Sequence, residues 1–349
     1  MRSPVETGSS AGRNGEYRTS IEDKDLVSGD VALSADGREL VITDITIDER
    51  AETVYNFEVE EYHTYFVGEI GVWVHNDSYV VNLKDPDKSY VNLYGKKIQG
   101  KYTEKNGKGY LLIENDGFGN KLEYEFTKDG RVANEDGIDV YDTERTCQKS
   151  NSKGCTEGGI ENRPNRVKIN DKILGDGGTV EIAANGTMRV LVGNETLGDG
   201  FNILQENGQN NDVNDAINMG QNTRAACQGR TNCSVYHVFN ATHGLKTDSL
   251  NSGAMQNLTQ DDIRNNRQAY TDLVAKEPAM ETLARHLSSG KVSILNTHSQ
   301  GGAMGAIAIT RANAIQHGST SETLWIASGG AHTENLLPDA GLFRRGIFF

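Results

Sequence analysis

The segment Val292-Ser293-Ile294-Leu295-Asn296-Thr297-His298-Ser299-Gln300-Gly301-Gly302 constrains the fold more than any other. An apolar run reaches a polar corner within four residues and then enters a helix that opens on Gly301, Gly302, Ala303 and Gly305. A corner this sharp needs small residues, because the helix packs directly against the strand it leaves. The helix is expected from Gly301 to Gln316, followed by a strand Thr323–Ala327, with one more strand, Ser234–Asn240, upstream. Between those, Ile263, Tyr270, Leu273, Val274, Met280, Leu283 and Leu287 recur close to a 3.6-residue period and read as helix. Strand, helix, strand, helix, strand implies right-handed crossovers and a parallel sheet. Residues 201–349 are therefore expected to form an α/β three-layer domain, with a single strand after the corner.

The preceding chain has a different period. Within 20–76, five short runs alternate apolar and polar: 31–34, 40–47, 53–59, 65–68 and 71–75. They are rich in β-branched and aromatic residues and read as strands, with Asp36-Gly37 a hairpin turn. Residues 77–200 form a second β-rich region, with strands at 110–113, 122–126, 179–182 and 188–192 and turns at Asn106-Gly107, Asp129-Gly130 and Asn185-Gly186. Residues 1–19 read as a disordered or linker segment and 143–166, polar and rich in Gly and Asn, as a long loop. With 39 Gly and only 5 Pro, the composition suits turn-rich β structure.

Charge and cysteines narrow the function. With 35 basic and 49 acidic side chains, the net charge is −14, which disfavours a phosphate-backbone binder. No apolar run reaches the roughly 18 residues of a membrane span. The start, Met1-Arg2-Ser3-Pro4-Val5, has no apolar core of a signal peptide, so the chain is expected to be either cytosolic or part of a longer product. Cys147, Cys155, Cys227 and Cys233 form two close pairs, and local pairing closes the shortest loops. Free thiols remain the alternative. The spacings do not suit zinc, and neither a metal nor a cofactor is expected.

His75-Asn76 carries chemistry of its own. An Asn carboxamide attacks its own following carbonyl and cleaves the backbone as a succinimide, and a neighbouring His polarises that carbonyl or shuttles protons. His63 is a second imidazole for the task. The plain alternative is that His75-Asn76 merely ends a strand. The whole block Val54-Tyr55-Asn56-Phe57-Glu58-Val59-Glu60-Glu61-Tyr62-His63-Thr64-Tyr65-Phe66-Val67-Gly68, leading to Gly71-Val72-Trp73-Val74-His75-Asn76, strongly resembles the end of a Hint domain. The Hint domain is the intein/hedgehog type of self-processing module, and the nearest likeness is to the pretoxin Hint of bacterial polymorphic toxins. The resemblance covers 20–76 and implies an all-β module followed by an effector region. It also implies delivery to the cell surface or beyond as part of a larger chain, with a cognate immunity protein as partner. Such modules open on a Cys nucleophile and no Cys precedes Cys147, so thioester chemistry is expected to be absent and the Asn76–Asp77 bond to stay intact.

The corner at Ser299 reads as the nucleophile elbow of an α/β-hydrolase, G-x-S-x-G, with Thr297 in place of the first Gly. Ser299 would sit at the tip, with the Gln300 N–H and the helix N-terminus facing a developing oxyanion. Val238-Phe239-Asn240-Ala241-Thr242-His243-Gly244 ends a strand in a polar loop, and Asn240 is expected to bring the second donor there. Residues 236–308 resemble the lipase-like α/β-hydrolase domains found at toxin C-termini. That resemblance implies a serine esterase acting on a lipid or acyl ester, with His332 ranked first as base, His243 second, and Asp339 as the orienting acid. A non-catalytic or truncated surface module, used for binding or delivery, is the competing class.

Overall fold

The chain divides into two compact units, Met1–Ser78 and Tyr79–Phe349. The computed structural model describes residues 79–127, 165–208, 211–230, 232–241, 243, 245–328 and 343–348, together with short strand pairs elsewhere. In the first unit these pairs are antiparallel: Ser10–Ala11 with Tyr17–Arg18, Val31–Leu33 with Glu39–Val41, and Thr64–Val67 with Val72–His75. The expected strand at 53–59 lies outside the described residues.

The second unit opens with nine antiparallel strands: β1 (Tyr79–Val81), β2 (Ser89–Leu93), β3 (Lys96–Lys105), β4 (Lys108–Ile113), β5 (Leu122–Thr127), β6 (Arg131–Ala133), β7 (Asp139–Tyr141), β8 (Val167–Ile169) and β9 (Lys172–Leu174). Their order is β6-β7-β1-β2-β3-β4-β5-β8-β9. Tight turns link neighbours. Asn106-Gly107 joins β3 to β4 with both residues at positive φ, 51° and 79°, the conformation that matches strand twist in a two-residue hairpin. Alternation puts Val91 and Leu93, then Leu111 and Ile113, on one buried face. A separate antiparallel pair, Thr146–Asn151 with Gly154–Gly159, falls inside the segment expected to be a long loop.

The mixed sheet comes next, with β10 (Thr179–Ala183), β11 (Met188–Val190), β12 (Phe201–Glu206), α1 (Val213–Thr223), β13 (Cys233–Val238), α2 (Leu245–Gln256), α3 (Gln260–Arg264), α4 (Gln268–Val274), α5 (Ala279–Ser288), β14 (Val292–His298), α6 (Gln300–Ile315), β15 (Leu324–Ser328) and β16 (Arg345–Phe348). The strand order is β11-β10-β13-β12-β14-β15-β16. The five strands from β13 to β16 run parallel, and the hairpin β10–β11 closes one edge antiparallel.

Several expectations are corrected here. The α/β sheet begins at Thr179 rather than near 200, because β10 pairs with β13 rather than with the antiparallel sheet. Two strands, β15 and β16, follow the corner instead of one. The helical pattern across 263–287 resolves into three helices: Asn266 takes a left-handed φ of 51° after α3, and Pro278 caps α5. The apolar period survived those breaks because Ile263, Tyr270, Leu273, Met280, Leu283 and Leu287 all enter one core.

That core, with Leu204, Leu295 and Trp325, lies between the mixed sheet and helices α2–α6. A second core joins the antiparallel sheet to α1 and the opposite face of the mixed sheet, through Leu111, Tyr124, Ile217, Ile203 and Val235. Two buried tyrosine hydroxyls are satisfied on the first turn of α1: Tyr79 donates to Asp212 Oδ1 (3.2 Å) and Tyr124 to Asn214 Oδ1 (3.0 Å). Asp212 and Asp215 form a reciprocal cap there.

Candidate functional site

The parallel sheet has one place where the chain reverses its direction of travel. From β12 the chain crosses through α1 to β13 on one side, and from β14 through α6 to β15 on the other. The crevice between the carboxyl ends of β12 and β14 is therefore the topological switch point, where open α/β sheets bind ligands. Glu206 and Asn207 end β12 there, and His298 and Ser299 end β14.

Ser299 has φ 52° and ψ −117°. Almost only glycine occupies that region, and a serine held there stores about 1–3 kcal/mol of strain. Surrounding contacts fix the corner: Ser299 N–H donates to Ser328 O on β15 (2.8 Å), and Gly302 N–H donates to Ser299 O (2.9 Å). The small residues of α6 have a measurable reason. A β-carbon at Gly305 would lie 2.9 Å from Thr297 Cγ2 and 3.1 Å from Trp325 Nε1. Trp325 in turn donates to Thr297 Oγ1 (3.0 Å), tying β15 to β14 beneath the helix.

Gln300 is buried at the head of α6, and its Oε1 accepts from Asn240 Nδ2 (3.3 Å). As the first residue of the helix, its N–H is not consumed by the helix itself. Asn240 does not stand where the sequence reading puts it. The neighbour of β14 is β12, which the sequence reading omitted, so β13 and Asn240 lie one strand farther away. The Asn240 N–H is also committed, donating to Asn207 Oδ1 (3.0 Å). It does not provide an open main-chain donor in this structure.

His243 is exposed, and both its ring nitrogens lie against carboxylates: Nε2 is 3.4 Å from Asp176 Oδ2 and Nδ1 is 3.9 Å from Glu277 Oε1. Glu277 is buried and also accepts from Asn251 Nδ2 (2.6 Å). His332 and Asp339 lie outside the described residues. So do His63 and Asn76, while His75 is described as a strand residue paired with Thr64. Cys227 and Cys233 are joined as a disulfide with Cα atoms 5.4 Å apart. Cys147 and Cys155 occupy opposing strands of one hairpin, paired with Gly158 and Ser150, and their side chains are outside the described set.

The sequence reading did not single out four residues of this crevice. His298 places Nδ1 2.8 Å from Ser328 Oγ. Glu206 is fully buried against Gly301. Asn207 and His237 are also fully buried, and burial pushes the His237 imidazole down to about 3, so it is neutral. The available signal was a polar run, Gln205-Glu206-Asn207, directly after the apolar pair Ile203-Leu204. Among the described residues no group of three or more His, Cys, Asp or Glu is arranged to hold a metal, and no helix is long and apolar enough to cross a membrane.

No curated protein matches the chain. Residues 15–77 match the family model of the Pretoxin HINT domain, which marks a polymorphic toxin region; the match does not extend to the α/β domain that carries Ser299.

Proposed function

We propose that the α/β domain is the effector of a polymorphic toxin, a lipase-like serine hydrolase of the α/β-hydrolase type acting on carboxylic esters with Ser299 as nucleophile. The observation that carries this reading is the backbone of Ser299, φ 52° and ψ −117°, at the switch point between β14 and α6. A strained corner that holds a hydroxyl at the carboxyl end of the sheet is costly to keep without a use for that hydroxyl. Ser299 Oγ attacks the ester carbonyl carbon while its proton passes to an imidazole. The carbonyl oxygen becomes an oxyanion facing the Gln300 N–H and the main chain that follows β12. The C–O bond to the alcohol breaks, the alcohol takes the proton from the imidazole, and water repeats the sequence on the acyl-enzyme. His332, oriented by Asp339, is the first candidate for the imidazole, and His243 with Asp176 or Glu277 the second.

In this reading His63, His75 and Asn76 are the processing end of a Hint-type module whose Asn76–Asp77 bond stays intact, and the chain travels out of the cell within a larger product. A cognate immunity protein is its partner in the producing cell. Mass spectrometry of the purified chain tests the processing arm by the presence or absence of a fragment beginning at Asp77.

The decisive experiment for the hydrolase is labelling with a fluorophosphonate probe together with turnover of a short acyl ester, in wild type and Ser299→Ala. Loss of a true nucleophile reduces turnover by at least about 10³-fold. Absence of both labelling and turnover in the wild type overturns the hydrolase reading and leaves the non-catalytic binding module.

A further inference from the structure

We propose, resting on the serine-hydrolase reading, that Asn207 is a positioning residue for the chemistry at Ser299: its carboxamide locks the main chain that passes Ser299 to the end of β13. Glu206 pairs with Thr297 across β12 and β14, so Asn207 and Gly208 carry the chain past His298 and Ser299 at the crevice. That segment contributes main-chain groups to the oxyanion site in the proposed mechanism. Its placement depends on what holds it.

The holding is complete. Asn207 Nδ2 donates to Asn240 O (2.6 Å) and to Gly208 O (3.0 Å), while Oδ1 accepts from Asn240 N–H (3.0 Å) and lies 3.1 Å from His237 Nε2. A carboxamide offers two donors and two acceptor lone pairs, and this one uses them all. The His237 ring is neutral in its buried site, so with Nε2 donating to Asn207, Nδ1 carries the lone pair. Among the described residues Nδ1 has no hydrogen-bond partner. From Asn240 the chain of contacts continues through Nδ2 to Gln300 Oε1, the residue directly after Ser299. The buried side chains of Asn207 and Asn240 together thus link the two segments that border the serine.

The test uses the full chain with Asn207→Asp, which keeps the shape but replaces both donors with oxygen, and the milder Asn207→Ser. Fluorophosphonate titration counts competent sites, so that unfolded molecules drop out, and kcat and KM for a short acyl ester are then expressed per site. We expect kcat per site to fall about 10²-fold, the effect of roughly 1 Å of misplacement at a reacting centre. KM stays close to wild type, because an oxyanion contact is made only in the transition state. Wild-type kcat per site in either variant overturns the proposal, even if fewer sites are competent. The underlying reading fails differently: the wild type is then not labelled at Ser299, or Ser299→Ala keeps its turnover.

Discussion

Gly301 and Glu206 occupy one space: a β-carbon added at position 301 would overlap Oε2 of the fully buried Glu206 carboxylate. The corner at Ser299 is thus closed by a glycine on one element and an acid on another, 95 residues apart in sequence.

Gly301→Ala should therefore destabilise the domain by about 1–3 kcal/mol, the usual cost of overpacking, and suppress probe labelling at Ser299. Gly305→Ala, where the nearest approach is 2.9 Å to Thr297 Cγ2, should cost less. Shortening the acid as well, in Glu206→Ala with Gly301→Ala, should recover part of the loss. Urea unfolding of the single and double variants gives the coupling, and strict additivity would count against the shared space.

Ser299→Gly should be more stable than Ser299→Ala. Both remove the hydroxyl, but only glycine accepts φ 52° and ψ −117° without strain. Strain relief of about 1–3 kcal/mol exceeds the roughly 0.5–1 kcal/mol entropic cost of glycine, so a net difference of about 1 kcal/mol is expected. Equal unfolding midpoints for the two variants would mean that the corner stores no strain.

Acid should weaken the fold through two histidines. Burial pushes His237 and His286 down to about 3, well below the unfolded value near 6.5. Above pH 6.5 the folded and unfolded chains carry the same charge at these rings, and their contribution is fully present. As pH falls from 6.5 towards 3, the unfolded chain binds a proton that the folded chain refuses, and stability drops by about 1.4 kcal/mol per pH unit per ring. His286→Gln, which can keep a polar contact to Thr179, should show a shallower fall between pH 7 and 5 in urea titrations. A slope unchanged from wild type would remove His286 from the account.

The Cys227–Cys233 bridge closes a loop of only a few residues between the end of α1 and β13. Its stabilisation should be about 2 kcal/mol by chain entropy. Paired Cys227→Ser and Cys233→Ser, or reduction of the wild type, should lower the unfolding free energy by that amount. A change of less than a few tenths of a kcal/mol would show that local structure already holds the loop.

Local order was legible in the residues themselves. The strands at 110–113, 122–126 and 179–183 follow from period-two alternation, and Asn106-Gly107 demands the turn it makes. The strand before Ser299 and the helix after it were placed to within a few residues, because small residues after a polar corner admit few other conformations. The block ending at His75-Asn76 carried enough specific residues to mark its family by itself.

Tertiary structure alone decided where β12 lies. Its last residues, Gln205 and Glu206, are polar yet buried, so the strand does not announce itself by hydrophobicity. Once it sits between β13 and β14, Asn240 is moved one strand from the serine, and Glu206 and Asn207 enter the crevice. Residue periodicity encodes the conformation of a segment and the face it buries. Which strands become neighbours depends on the packing of all segments at once, and that ordering chose the residues around Ser299.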